Sequence, residues 1–204
     1  MSWNLQNESS TSGGKAEFTK FPEGITKIRI VDEQPHIRWA HWVQKISRSV
    51  NCPGKGCPIC EIRRQQKANK EPYTYGMTRR YALNVLNRET GSVEIMEQGI
   101  TFFEDLRDLL EELESEGKTF FDVDLKVKRR GTGKDGTTYR IDLDEECPLS
   151  EEDQKKIDEG KIDLNEFFKP HTVEQLTRLV NGEEWSDIIA SSNNDDEDEK
   201  VEIA

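Results

Sequence analysis

The chain has 204 residues, 33% of them hydrophobic and 34% charged, with a formal net charge of −12. That length suits one domain with embellishments, and the modest apolar share leaves room only for a small core. No apolar run of about 18 residues exists to span a membrane, and the polar stretch from Met1 to Lys15 lacks the apolar segment of a signal peptide, so a cytosolic location is expected, the host cytosol if the chain is viral.

The distribution of charge is more informative than its sum. Residues 1–140 hold 23 basic and 20 acidic side chains, whereas residues 141–204 hold 6 and 21. Such asymmetry separates a part able to face a polyanion from an acidic part. The plainer alternative is a solvated acidic region that keeps the chain soluble.

Residues 1–17 are expected to be a disordered N-terminus. Strands are predicted over Ile25–Val31 and Ile37–Ile46, the second rich in Trp, Ile and Val. Alternation there puts Ile37, Trp39, His41 and Val43 on one face and Arg38, Ala40, Trp42 and Gln44 on the other. A loop dominated by Pro, Gly and Cys follows, then a short basic helix over Glu61–Lys70. Arg80–Asn87 and Ser92–Met96 read as strands joined by a turn. Thr101–Glu116 repeats Phe102, Phe103, Leu106, Leu109, Leu110 and Leu113 at helical spacing, closed by Gly117.

The clearest hairpin joins Phe120–Arg130 to Thr137–Leu143 through a Gly- and Asp-Gly-containing turn. Its Val123, Leu125 and Val127 face a core, while Asp124, Lys126, Lys128 and Arg130 face solvent. Beyond Pro148 helices are expected over Glu151–Glu159, Leu164–Phe168 and Val173–Val180, with Ser150/Asp153 and Thr172/Gln175 at capping-box spacing. Residues 191–204 contain six acids, one Lys and no aromatic side chain, and should be disordered.

Four cysteines are present, and Cys52, Cys57 and Cys60 fall within nine positions. In a reducing compartment such clustering points to metal ligation rather than a disulfide framework. Cys57-x2-Cys60 forms a knuckle, with Gly54 and Gly56 letting the chain fold tightly around an ion. One structural zinc ion takes four N or S ligands in a tetrahedron. His41 is the first choice for the fourth ligand; His36, Cys147 and His171 are the alternatives, in that order. A zinc deaminase would need H-x-E beside P-C-x-x-C, and neither that signature nor H-E-x-x-H occurs. The metal is therefore read as structural and no catalytic residue is assigned. A structural zinc contributes on the order of 10 kcal/mol to folding.

Two stretches pair basic residues with aromatic ones, the combination by which proteins track phosphates and stack bases. One places Tyr73, Tyr75 and Tyr81 around Arg79 and Arg80; the other runs from Lys126, Lys128, Arg129, Arg130 and Lys134 to Tyr139 and Arg140. Arg63 and Arg64 lie on the basic helix, and one of Trp39 and Trp42 is expected to reach a nucleic acid while the other is core.

The segments RWAHWVQKISRSVNCPGKGCPIC, TYGMTRRYALNVLN and KVKRRGTG with TTYRIDLDEECPLS resemble the single-stranded DNA-binding proteins of tailed phages. The plan is similar to the gene-32 type of T-even phages. The resemblance covers roughly residues 18–149 and implies an OB-fold, zinc held by one His and three Cys, and an acidic tail; residue by residue it supports His41, Cys52, Cys57 and Cys60. Two departures stand out: the first two Cys are closer together here, and Met1–Gly14 has no Lys or Arg, which speaks against cooperative filaments driven by a basic arm.

The expected fold is mainly β with helical additions (α+β): an OB-fold-like barrel with a zinc-binding loop insertion and a disordered acidic C-terminal tail. Residues 18–149 would form the core, with the zinc loop at about 41–60, and 150–190 an acidic helical region packed on it. The expected function is sequence-independent binding of single-stranded DNA, with single-stranded RNA open to the same chemistry. It would serve phage DNA replication, recombination or repair, as a monomer or weak homo-oligomer. The tail, Asp195, Asp196, Glu197, Asp198 and Glu199 above all, would recruit partner enzymes and compete with DNA. The rival is a zinc-knuckle adaptor that binds proteins and no nucleic acid; a metal-dependent nuclease lacks a converging carboxylate set.

Overall fold

The structure, a computed structural model, describes residues 16–198, except for the side chains at 134, 135, 145 and 192–198. In chain order the elements are β1 (Gly24–Ile30), β2 (His36–Val43), β3 (Arg48–Asn51), α1 (Pro58–Asn69), β4 (Thr78–Asn87), β5 (Ser92–Gln98) and α2 (Ile100–Ser115). There follow β6 (Val123–Arg130), a single turn α3 (Gly133–Gly136), β7 (Thr138–Glu146), α4 (Glu151–Gly160), α5 (Leu164–Phe167), α6 (Val173–Val180) and α7 (Trp185–Asp198). The α+β class expected from the alternation and helical periods is what forms. No helix among the described residues is long and apolar enough to cross a membrane.

The described chain divides into two compact units, one of residues 16–37 and 80–167 and one of residues 38–79 and 168–198. The helical region expected over 150–190 is therefore split: α4 and α5 belong to the first unit, α6 and α7 to the second.

The first unit is an antiparallel sheet with β1 at its centre. Ile28 lies opposite Asn87 of β4 on one side and Leu125 of β6 on the other, β5 pairs with β4, and β7 pairs with β6. Alternation sends Ile28, Ile30, Leu83, Val85, Leu125 and Val127 into one core, covered by Phe102, Phe103 and Leu106 of α2. Each such side chain gains about 1.5–3 kcal/mol from leaving water. Helix α2 ends where the sequence predicts, with the Lys118 N–H returning to the Leu113 carbonyl. Ser150 caps α4 by accepting from the Asp153 N–H, and Ile157 of α4 packs on Val31 and Leu86.

The outward face of β6 departs from expectation. Asp124 is buried rather than solvated, because two arginines close on it: Arg29 of β1 at 2.6 Å and Arg88 at 2.9 Å.

The second unit begins with the β2–β3 hairpin. Val50 and Asn51 lie opposite His41 and Ala40. The predicted second strand stops at Val43, where a 3-10 turn, Gln44–Ile46, takes over. Helix α6 starts at a full capping box between Thr172 and Gln175. Leu176 and Leu179 of α6 and Ile188 of α7 pack against Val43, Val50, Cys57 and Ile59. The α7 backbone remains helical through Asp198, although the sequence predicts disorder from Ser191. Residues 1–15 and 199–204 lie outside the described part.

Candidate metal centre and nucleic-acid interface

The hairpin register builds the metal centre. With His41 opposite Val50, the next residues of β3 run past the imidazole, and the Cys52 N–H bonds the Trp39 carbonyl at 2.9 Å. The knuckle then turns back through Gly54 and Gly56, whose φ angles of +78° and +79° suit glycine. The Gly54 N–H donates to Cys52 Sγ at 3.3 Å, the Cys57 N–H to the Gly54 carbonyl at 3.3 Å, and Pro58 opens α1 so that Cys57 and Cys60 flank its first turn.

The ligand atoms of His41, Cys52, Cys57 and Cys60 all lie within 4.8 Å of one another. Cys52 Sγ is 3.6 Å from Cys60 Sγ, and His41 Nε2 is 3.5 Å from both Cys57 Sγ and Cys60 Sγ. Zinc bonds of about 2.3 Å to sulfur and 2.0–2.1 Å to nitrogen imply tetrahedral edges of about 3.8 Å and 3.5 Å, so the donor set fits that ion in type, number and spacing. Burial pushes the Cys52 thiol up to about 12 and raises Cys60 as well, while burial lowers His41. A divalent cation offsets the cost of holding thiolates there and requires the neutral imidazole.

The other candidates are engaged elsewhere. His36 Nδ1 meets Asn165 Oδ1 at 3.1 Å; the Cys147 thiol donates to the Pro148 carbonyl at 3.7 Å; and His171 packs edge-on to Trp185 at 5.0 Å. His41 Nδ1 makes no regular hydrogen bond.

The same unit carries an aromatic surface. Trp39 is 46% exposed with the Arg79 guanidinium 5.8 Å from its ring centre. Tyr73 is 50% exposed with Arg63 4.1 Å over its ring. Arg63 also donates to the Tyr75 carbonyl, and Tyr75 itself packs into the cluster beneath the knuckle. Trp42 is half-buried and donates Nε1 to Gln44 at 2.9 Å, so of the two tryptophans Trp39 is the one open to a base. Arg64 pairs with Glu61 within α1.

The residues expected on the first unit fare differently. Tyr81 is a correction: it is 6% exposed and stacks on Phe103 at 5.1 Å, because its position on β4 faces the core. Tyr139 is half-buried and packs against the same core, edge-on to Phe102 at 5.6 Å and Phe21 at 5.9 Å. Arg129 donates to the Phe21 carbonyl at 2.8 Å. Lys126 pairs with Asp144, which Lys27 shares at 2.7 Å, and Arg140 pairs with Asp142 at 2.9 Å. Arg80 and Lys128 are half-buried and Arg130 is exposed. The side chains of Lys134 and of Asp195 to Asp198 lie outside the described part, as does Glu199 altogether.

Two features escaped the sequence reading. Gln66 pins Thr74 twice, donating to its hydroxyl at 2.7 Å and accepting from its N–H at 3.1 Å. Gly76 lies against Trp42, bonding the Trp42 carbonyl at 3.1 Å, and a Cβ there would meet Trp42 Cβ at 3.0 Å. Only the glycine in an aromatic stretch hinted at such close approach.

No family model matches the chain. It is similar to the "Probable ssDNA-binding protein" of Escherichia phage T5, at 28% identity over 153 residues. The match covers 64% of this chain and 57% of the phage protein, so the chain spans less than two thirds of that protein's length.

Proposed function

We propose that the chain binds single-stranded DNA without catalysing a reaction, and that the aromatic and arginine side chains of its zinc unit make the principal contacts. One observation carries this reading: Trp39 and Tyr73 are both about half exposed, and each has an arginine guanidinium against its ring. A free ring face stacks any base, and the neighbouring cation attracts the phosphates, which gives affinity without sequence preference. The likeness to a phage protein named for single-stranded DNA binding supports the same assignment.

The first unit supports the OB-type part of the reading. It has five antiparallel strands with one helix between the third and fourth, and the zinc unit interrupts the connection between its first two strands, where such folds carry a nucleic-acid-binding loop. Lys128 and Arg130 are proposed to contribute phosphate contacts from the fourth strand. The acidic C-terminal segment is proposed to compete with DNA and to recruit partner enzymes of phage replication, recombination or repair. Structural zinc, held by His41, Cys52, Cys57 and Cys60, completes the proposal.

Fluorescence anisotropy of labelled oligo-dT, with duplex competitor and at two salt concentrations, tests it. Salt-sensitive binding that prefers the single strand is expected. Zinc-loaded protein that leaves the oligonucleotide free at low salt would discard the reading in favour of the protein-binding adaptor.

A further inference from the structure

The residues that present Tyr73 are tied to the metal centre at both ends. Helix α1, which begins with ligands Cys57 and Cys60, reaches the 73–75 segment through three side-chain contacts. Arg63 covers the Tyr73 ring and bonds the Tyr75 carbonyl, and Gln66 makes its two hydrogen bonds to Thr74. From the other side, Gly76 is seated on Trp42, the residue next to ligand His41. Its N–H reaches the Trp42 carbonyl at 3.1 Å, and a Cβ there would press on Trp42 Cβ at 3.0 Å.

We infer that the 73–76 segment couples the two sites: metal bound at His41 and the cysteines holds Tyr73 ready for a base, and a base stacked on Tyr73 holds the metal in place. Gly76 is the positioning residue on the metal side and Gln66 the one on the loop side. The physical reason is shared rigidity. Ordering the segment costs conformational entropy once, and whichever ligand binds first has already met that cost for the second. Thermodynamic linkage makes the effect reciprocal. The inference rests on the single-strand reading, and its test separates the two.

The measurement is the rate at which a chromogenic chelator removes zinc from the full-length, zinc-loaded protein, with and without oligo-dT at a concentration that anisotropy shows to be saturating. Oligo-dT is expected to slow release by about fivefold or more, at the lower end of allosteric couplings. In Gln66→Ala, release without oligonucleotide should match the parent, because no metal contact is touched, while the protection by oligo-dT should shrink towards none. Circular dichroism establishes that the variant is folded. Saturating oligonucleotide with an unchanged release rate overturns the coupling and leaves single-strand binding intact. Absence of any oligonucleotide binding overturns both. A protein that neither contains zinc nor takes it up overturns the coupling outright.

Discussion

Arg29 donates Nε to Asp124 at 2.6 Å with its side chain wholly buried, and its two remaining nitrogens donate to the carbonyls of Phe121 and Cys147 at 2.7 Å. Arg88 closes on the same carboxylate and reaches Asp153 of α4 at 2.7 Å. The network therefore ties β1, β6 and α4 together, and both arginines are occupied in holding the fold. Breaking such a pair strands a buried charge, which costs about 3–5 kcal/mol. Arg29→Met should lower unfolding free energy by about 3 kcal/mol, since Arg88 still partners Asp124. Urea denaturation measures it; a loss below about 1 kcal/mol would mean the network is energetically idle.

Metal removal should collapse the zinc unit. The cluster of Val43, Val50, Cys57 and Ile59 with α6 and α7 is small, and an ion held by His41, Cys52, Cys57 and Cys60 would join the hairpin to the knuckle. Cys60→Ser is expected to purify with little zinc and a lower melting temperature, whereas Cys147→Ser, in the other unit, should keep one zinc per chain. Atomic absorption decides this, and equal zinc in both variants would refute the ligand set.

Stacking gives a graded outcome. Trp39→Ala and Tyr73→Ala should each weaken oligo-dT binding by about 1–3 kcal/mol. Tyr81→Phe should leave affinity unchanged, because its ring stacks on Phe103 inside the core. Anisotropy titrations test all three together; an effect confined to Tyr81→Phe would move the interface elsewhere.

Basic residues divide in the same way. Arg130→Ala should reduce the slope of log affinity against log salt by about one, as expected for a lost phosphate contact. Lys126→Ala should change that slope less, since its ammonium is already paired with Asp144. Equal slopes for the two variants would remove the hairpin from the interface.

His171 supplies a pH signature. Burial, with Arg48 and Arg38 nearby, holds its pKa down at about 4, so below about 6.5 the unfolded chain takes up a proton that the folded chain refuses. Stability is full above that point and falls as pH drops towards 4, by about 3 kcal/mol in all. His171→Phe, which preserves an aromatic ring against Trp185, should flatten the decline relative to the parent when melting is followed across this window. Parallel curves would rule out His171 as the cause.

Much of this was legible in local sequence. Alternation placed β1, β4, β5 and the β6–β7 hairpin, helical spacing placed α2, and the Thr172/Gln175 and Ser150/Asp153 pairs marked two helix starts, because those signals act within a few residues. The knuckle cysteines were legible for the same reason. Choosing His41 over His36, Cys147 and His171 needed the β2–β3 register, which brings Cys52 alongside His41. The tyrosines were alike in composition, yet Tyr81 went to the core and Tyr73 to the surface, since exposure depends on what packs against each face. Helix α7 was missed because it draws its support from Ile188 buried under the knuckle, more than a hundred residues away in sequence. On the basic hairpin face Lys126 and Arg140 are already paired with Asp144 and Asp142. Sequence alone thus determined most of the strands but not β3, the main helices except α7, and the chemistry on offer, which are short-range properties of the chain. Tertiary structure alone decided which histidine joins the cysteines, which rings face solvent and which cations are already paired, because each depends on contacts between residues distant in sequence.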